Sequence, residues 1–172
     1  MDTANTEVPP QAADAVTELY AAHAFGLVRL AVIMLGDKAA AEDVVQDAFL
    51  GLYRRWDSLA EASHPLGYVR TSVLNGCRSA LRRQSRRRPA VGLSQPPGES
   101  AEALALVSEE HRAVVAAIRR LPDRQREALL LRYYLEMSED EIARTMRVSR
   151  GTVKSATSRA LAALERTLTE DS

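Results

Sequence analysis

The chain has 172 residues, 46% of them apolar, enough for one medium domain or two small ones, and its 23 basic and 23 acidic side chains cancel to a net charge of zero. A single cysteine, Cys77, excludes an internal disulfide and any cysteine-based zinc cluster, and His23, His64 and His111 lie too far apart for metal-ligand spacing. No apolar run is expected to approach a membrane span, and an N-terminus carrying Asp2 and Glu7 without an apolar core is no signal peptide, so the expected location is the cytoplasm.

Few aromatics and abundant Ala, Leu and Arg favour helices over sheets. Residues 1–13, polar and holding Pro9-Pro10, read as a disordered N-terminal tail. A helix over about 14–35 packs through Leu19, Ala22, Phe25, Leu27, Leu30, Ile33 and Met34, and Gly36 ends it as a C′ glycine. The next, over about 39–57, turns Val44, Val45, Ala48, Phe49, Leu52 and Trp56 inward. After a loop around 58–64, Pro65 opens a third helix to about Ser85, with Leu66, Val69, Val73, Leu74 and Leu81 as its apolar face and Cys77 as a small core residue. Pro89, Gly92, Pro96, Pro97 and Gly98 then mark a linker. Helical pattern resumes near Ala101 and covers 104–120, and Pro122 opens another helix to about Leu135. No strand pattern or internal repeat is present. The expected fold is therefore all-α, with two small helical domains over 14–88 and 104–172 joined by a flexible linker at 89–103.

The run from Ser138 to Ser155 reads as two short helices joined by a tight turn. Ser138 and Glu141 form a capping box, Ile142, Ala143 and Met146 supply an apolar stripe, and Ser149 caps a second helix that buries Val153, Ala156 and Ala160. Arg150, Thr152, Lys154, Ser155, Ser158 and Arg159 are left to face outward. Small hydroxyls near base edges and cations near phosphates suit a DNA major groove, although a solvated helical hairpin shares the pattern. Arg147 occupies a turn position that often requires positive φ, which implies either a different turn or local strain.

Charge is unevenly spread. Residues 1–63 are acidic, whereas 64–98 hold Arg70, Arg78, Arg82, Arg83, Arg86, Arg87 and Arg88 with no acid, and a second basic stretch covers 142–168. Two separated basic patches suggest nucleic acid at two places. In the first, Tyr68, Arg70, Thr71, Ser72, Asn75 and Arg78 precede the Arg-rich helix end and combine stacking, edge hydrogen bonding and a cationic track, as unpaired bases require, although a helix C-terminus also favours cations. On the helix before it, with Val44, Ala48, Leu52 and Trp56 inward, Asp43, Asp47, Leu50 and Arg54 share an exposed face. A lone Leu amid charges resembles a helix-docking surface, and a merely solvated helix remains the plain alternative. The segment from Leu121 to Leu129 reads as a helix start that buttresses the helix-turn-helix.

Taken in order, "AEDVVQDAFLGLYRRW", "HPLGYVRTSVLNGCRSALRRQSRRR" and "LPDRQREALLLRYYLEMSEDEIARTMRVSRGTVKSATSRALAAL" resemble regions 2.2, 2.3–2.4 and 4.1–4.2 of extracytoplasmic-function (ECF) sigma factors, in the style of the actinobacterial SigE family. The resemblance spans roughly 15–168. It implies that Asp43, Gln46, Asp47, Leu50 and Arg54 dock on the β′ clamp helices of RNA polymerase core. It gives Tyr68, Arg70, Asn75, Arg78, Arg82 and Arg83 to opening the −10 element, and Arg150, Thr152, Lys154, Ser155, Ser158 and Arg159 to the −35 element. Partners so implied are core polymerase (β′ clamp helices and β flap) and promoter DNA; the acidic N-terminal surface and the linker would also permit an anti-sigma factor. The free protein is expected to be a monomer, without membrane contact or cofactor. Ala156 departs from the family, where Arg is frequent, and Arg147 stands where Gly is common.

With no nucleophile–base pair, phosphate loop or metal set in view, the chain reads as no enzyme. The competing reading is a stand-alone helix-turn-helix regulator that binds duplex DNA without polymerase. The tether suits a bipartite reader: about 20 extended residues reach ~66–70 Å, and elements some 17 base pairs apart lie about 58 Å apart along B-DNA.

Overall fold

A computed structural model describes residues 10–60, 64–87 and 111–170, which form α-helices with no strand among them. These are α1 (Pro10–Leu35), α2 (Lys38–Arg54), α3 (Trp56–Ala60), α4 (Pro65–Arg87), α5 (Arg112–Arg120), α6 (Asp123–Tyr133), α7 (Glu139–Met146) and α8 (Arg150–Glu170). The all-α expectation holds. Two compact units result, one from residues up to 31 with 39–87, the other from 88–172 with the short stretch 32–38. Most of the expected tail (1–9) and the whole linker (89–103) lie outside the described residues, as does the resumed helix between 101 and 110.

Helix α1 begins at Pro10, so residues 10–13 are helical where a disordered tail was expected. A proline costs nothing in a first turn, whose N–H groups lack partners in any case. The helix stops where expected: Gly36 adopts φ 71°, and its N–H donates to the Val32 carbonyl at 2.7 Å. Residues 12–35 correct one sequence expectation, because 24 residues of mean hydropathy 1.5 are long and apolar enough to cross a membrane by length and composition. Much of that stretch is nonetheless protein core, with Ala24, Leu27, Leu30 and Ala31 buried. Phe25, expected to pack, is instead 65% exposed with the Arg29 guanidinium 5.9 Å from its ring centre, and Ala22 is exposed too.

In the first unit α2 and α4 carry the core. Val44, Val45, Ala48, Phe49 and Leu52 of α2 are buried, as are Val69, Val73, Leu74 and Cys77 of α4. Trp56, expected at the end of α2, opens the short α3 instead and is only half-buried. Tyr20 of α1 meets Phe49 edge-on at 5.0 Å, a favoured arrangement because the positive ring edge meets the negative face. Two glycines let α2 and α4 approach. A Cβ on Gly76 would lie 2.7 Å from Val44 Cγ1, and one on Gly51 would lie 2.9 Å from the Tyr68 hydroxyl.

This contact gives two glycines of one helix opposite predicted signs. At Gly67, an added Cβ meets only His64 Cβ at 3.5 Å, an ordinary contact, so Gly67→Ala should stabilise by about 0.5–1 kcal/mol through helix propensity. Gly76→Ala gains the same propensity but drives a methyl into the stiff, buried Val44, an overpacking that costs about 1–3 kcal/mol. It should destabilise, and Val44→Ala in the same chain should recover part of the loss. Urea unfolding of the three variants beside the wild type checks this; a stabilised Gly76→Ala would disprove the close approach.

The second unit packs α6, α7 and α5 against α8. Its core joins Leu121, Leu129 and Ala160, with Ile118, Ala163 and Leu164 half-buried around them, while Ile142 and Val153 are buried between α7 and α8.

Candidate functional site

The described residues present three surfaces, each built by local chemistry that fixes a helix face. On α2, Asp43, Gln46, Asp47, Leu50 and Arg54 are all exposed. Their spacing of three and four residues places them along one stripe of the helix, opposite the buried Val45, Phe49 and Leu52. Leu50 is 49% exposed at the centre of the stripe, an apolar side chain among carboxylates, an amide and a guanidinium. The face read from the sequence is therefore the face that the packing leaves open.

On α4 the six expected residues divide. Successive residues turn by about 100°, so Tyr68, Asn75, Arg78 and Arg82 fall on one side, with Arg83 at its edge. Arg70 lies about 200° from Tyr68, on the side of the buried Val73 and Leu74, and is itself half-buried. Periodicity thus separates Arg70 from the group the sequence placed it in. Within the remaining five, Arg78 Nη1 donates to Asn75 Oδ1 at 3.0 Å and Arg82 Nη2 to Ser79 Oγ at 2.9 Å. Tyr68 is half-buried with its hydroxyl over Gly51 of α2, so the ring is braced by the helix that carries Asp47 and Leu50.

The third surface lies on α7 and α8. Ser138 caps α7 with φ −68° and ψ 158°; its hydroxyl accepts the Glu141 N–H at 3.3 Å, and the Glu141 carboxylate accepts the Ser138 N–H at 2.8 Å. Both halves of the capping box are present. The turn ends in Arg147 at φ 55° and ψ 48°, the left-handed region, so the usual turn geometry is kept and the arginine bears the strain. Ser149 caps α8 by accepting the Thr152 N–H at 3.1 Å. Val153 and Ala160 are buried and Ala156 half-buried, while Arg150, Thr152, Lys154, Ser158 and Arg159 are exposed. Ser155 is half-buried, its hydroxyl donating to the Thr152 carbonyl at 3.1 Å.

Sequence reasoning missed the acidic partners of two of these cations. Arg150 Nε lies 3.3 Å from Asp140 Oδ1 and Arg150 Nη2 3.5 Å from Glu139 Oε2, while Lys154 Nζ is 4.0 Å from the same Glu139 oxygen. These exposed pairs contribute little to stability, yet they orient both side chains across the first turn of α7. Only three-dimensional proximity reveals them, since eleven residues separate Glu139 from Arg150. Beside them α6, α7 and α8 leave a groove of about 500 Å³ lined by Tyr133, Lys154, Ser158 and Leu161. Among the described residues no cluster of three or more His, Cys, Asp or Glu could hold a metal ion.

Comparison with known proteins matches the same two units. Residues 19–87 match the family model for sigma-70 region 2, and residues 111–164 match that for sigma-70 region 4. The chain is 32% identical over 169 residues to the ECF RNA polymerase sigma factor SigL of Mycobacterium tuberculosis, covering 88% of each protein. It is 30% identical over 142 residues to the RNA polymerase sigma-E factor of Streptomyces avermitilis, covering 83% of this chain and 78% of that one. Among solved structures, the sigma factor RpoE of Bartonella quintana, crystallised with the anti-sigma factor NepR, superposes with a TM-score of 0.69 over 92% of this chain and 99% of its own at 24% identity, a likeness of fold.

Proposed function

The chain belongs to the extracytoplasmic-function sigma factors of RNA polymerase, and we propose that it binds core polymerase through α2, opens the −10 region with α4 and reads the −35 element with α8. The observation that carries this reading is the exposed stripe Asp43–Gln46–Asp47–Leu50–Arg54, set in a different unit from the helix-turn-helix. A stand-alone regulator would use its first unit to dimerise or to sense a signal. A factor that must be held by a large enzyme needs a separate docking face, and a lone Leu ringed by charges supplies the apolar centre and polar rim of such a face.

Labour divides between the units. On α8, Arg150 and Lys154 neutralise phosphate, while Thr152, Ser155 and Ser158 bring small hydroxyls to base edges in the major groove. On α4, Asn75 supplies an amide for base-edge hydrogen bonds and Tyr68 a stacking face, with Arg78, Arg82 and Arg83 tracking the strand, so that unstacked bases are captured rather than re-paired. Arg70, on the core side of α4, is assigned a supporting place beside this group. Nucleotide chemistry belongs to the core enzyme: the chain contributes recognition and strand capture, acts in the cytoplasm and carries no catalytic group. An anti-sigma protein is a further partner in this reading, on the precedent of the RpoE complex.

The test is run-off transcription from genomic fragments with purified core polymerase. Defined transcripts should depend on the added chain, and duplex promoter DNA should be bound specifically only when core is present. Specific binding by the chain alone, with no transcripts, would favour the stand-alone regulator.

A further inference from the structure

Four charges of the second unit meet beside the start of α8 and cancel. Arg150 Nε lies 3.3 Å from Asp140 Oδ1, and Arg150 Nη2 lies 3.5 Å from Glu139 Oε2. Lys154 Nζ stands 4.0 Å from that same Glu139 oxygen. The convergence follows from helical period: Arg150 and Lys154 are four residues apart on α8, so they project from one face, and both reach the first turn of α7. Arg159, further along α8, is exposed and has no ion pair among the described residues. Exposed pairs of this kind add little to stability. Their weight falls instead on an incoming phosphate. Both carboxylates stand well inside a Debye length of about 8 Å from the cations, so a phosphate must displace them or share the cations with them.

We propose that Glu139 and Asp140 are positioning residues that restrain DNA binding: they hold Arg150 and Lys154 on the protein and so keep the free chain weakly bound to duplex of any sequence. The inference rests on the reading of α8 as the −35 reader and adds to it two residues that act through the cations rather than on DNA. Sequence-independent binding comes almost wholly from cations on phosphate. A factor with uncommitted cations would be held at the many non-promoter sites of a genome. With the cations paired, one unit alone binds feebly. Core polymerase, holding both units over one promoter, supplies the missing affinity as effective concentration.

The experiment measures binding of the free full chain to a duplex of arbitrary sequence, and of the holoenzyme to a promoter fragment selected by run-off transcription. It compares wild type, Glu139→Gln/Asp140→Asn, Arg150→Ala/Lys154→Ala and the quadruple variant. Freeing the two cations should tighten binding by the free chain about 5–10-fold at about 0.1 M salt, each exposed pair being worth up to about 5-fold. The slope of log affinity against log salt should steepen by about 1–2, as one or two more phosphates are neutralised. The holoenzyme should gain equally on matched and mismatched −35 sequences, because phosphate carries no base information. The quadruple variant should lose the gain, since the acids act through Arg150 and Lys154. The capping box of Ser138 and Glu141 is untouched, but two acids leave the first turn of α7, so the melting temperature should fall by about 2–6 °C. Tighter binding by a less stable chain is a result that a merely structural role does not give. Glu165→Gln, which removes an exposed charge from the later part of α8, should change affinity by less than about 2-fold. A gain per charge removed as large in Glu165→Gln as in Glu139→Gln/Asp140→Asn would reduce the effect to net charge and overturn the proposal. Unchanged binding in Glu139→Gln/Asp140→Asn, beside weakened binding in Arg150→Ala/Lys154→Ala, would also overturn it and leave the reading of α8 standing. Unchanged binding in every variant overturns that reading and this inference with it.

Discussion

Replacing Asp47 and Leu50 together by alanine should abolish transcription through loss of core binding, with the fold intact. Both side chains are exposed on α2, Leu50 at 49%, while the adjacent Ala48, Phe49 and Leu52 hold the core. Surface substitutions of this kind change stability by about 0.5 kcal/mol or less, and alanine suits a helix. Binding should respond very differently. A central apolar anchor and a flanking charge of an interface cost about 2 kcal/mol or more and about 1 kcal/mol when truncated, and 3 kcal/mol is more than 100-fold in affinity. Run-off transcript should fall to background while the melting temperature stays within a degree or two. Immobilised core should retain the wild-type chain and release the variant. Retention of the double variant at wild-type affinity would remove α2 as the docking face.

Features set by neighbours in sequence were the legible ones. The capping box at Ser138 and Glu141 and the cap at Ser149 are contacts between residues three apart, so their chemistry is written locally. The open stripe of α2 follows from helical period once its apolar residues are placed inward. Arg70 was grouped with its neighbours by residue type in an Arg-rich segment, whereas its angle around α4 places it beside Val73 and Leu74. Phe25 was misjudged by treating an aromatic ring as packed wherever the pattern allowed. The ion pairs of Arg150 and Lys154 with α7, and the seating of Val44 against Gly76, depend on how helices cross, which no single-helix period encodes. At Arg147 the sequence left two turns open, and the left-handed backbone decides between them. Composition also understated α1, whose core residues are apolar over a length that would equally suit a bilayer.

Arg126→Ala should strongly destabilise the second unit, although the side chain touches no expected DNA contact. Arg126 is buried at 6% exposure, an unusual place for a guanidinium. It is retained by geometry: Nη1 donates to the Arg119 carbonyl at 2.8 Å, and Nη2 meets Asp123 Oδ1 at 2.5 Å. That carbonyl lies in the last turn of α5, where helical partners run out and the dipole is negative, so the cation caps α5 from α6. Removing it strands the carbonyl and opens a void, and the charged hydrogen bond alone accounts for about 1.5–3 kcal/mol. For a unit of this size, that corresponds to a fall in melting temperature of roughly 8–20 °C. Asp123→Ala should cost less than about 1 kcal/mol, because Asp123 is 70% exposed and water replaces much of what it gives. Arg126→Lys should fall between them, keeping the charge but losing the fork. Since α6 and α5 both pack on α8, the −35 reader should stay fully active in Arg126→Ala well below the new transition and lose promoter binding steeply through it, the wild type being unaffected over that range. Scanning calorimetry beside binding measured at stepped temperatures distinguishes this from a direct DNA contact, which would lower affinity at every temperature and leave the transition where it was.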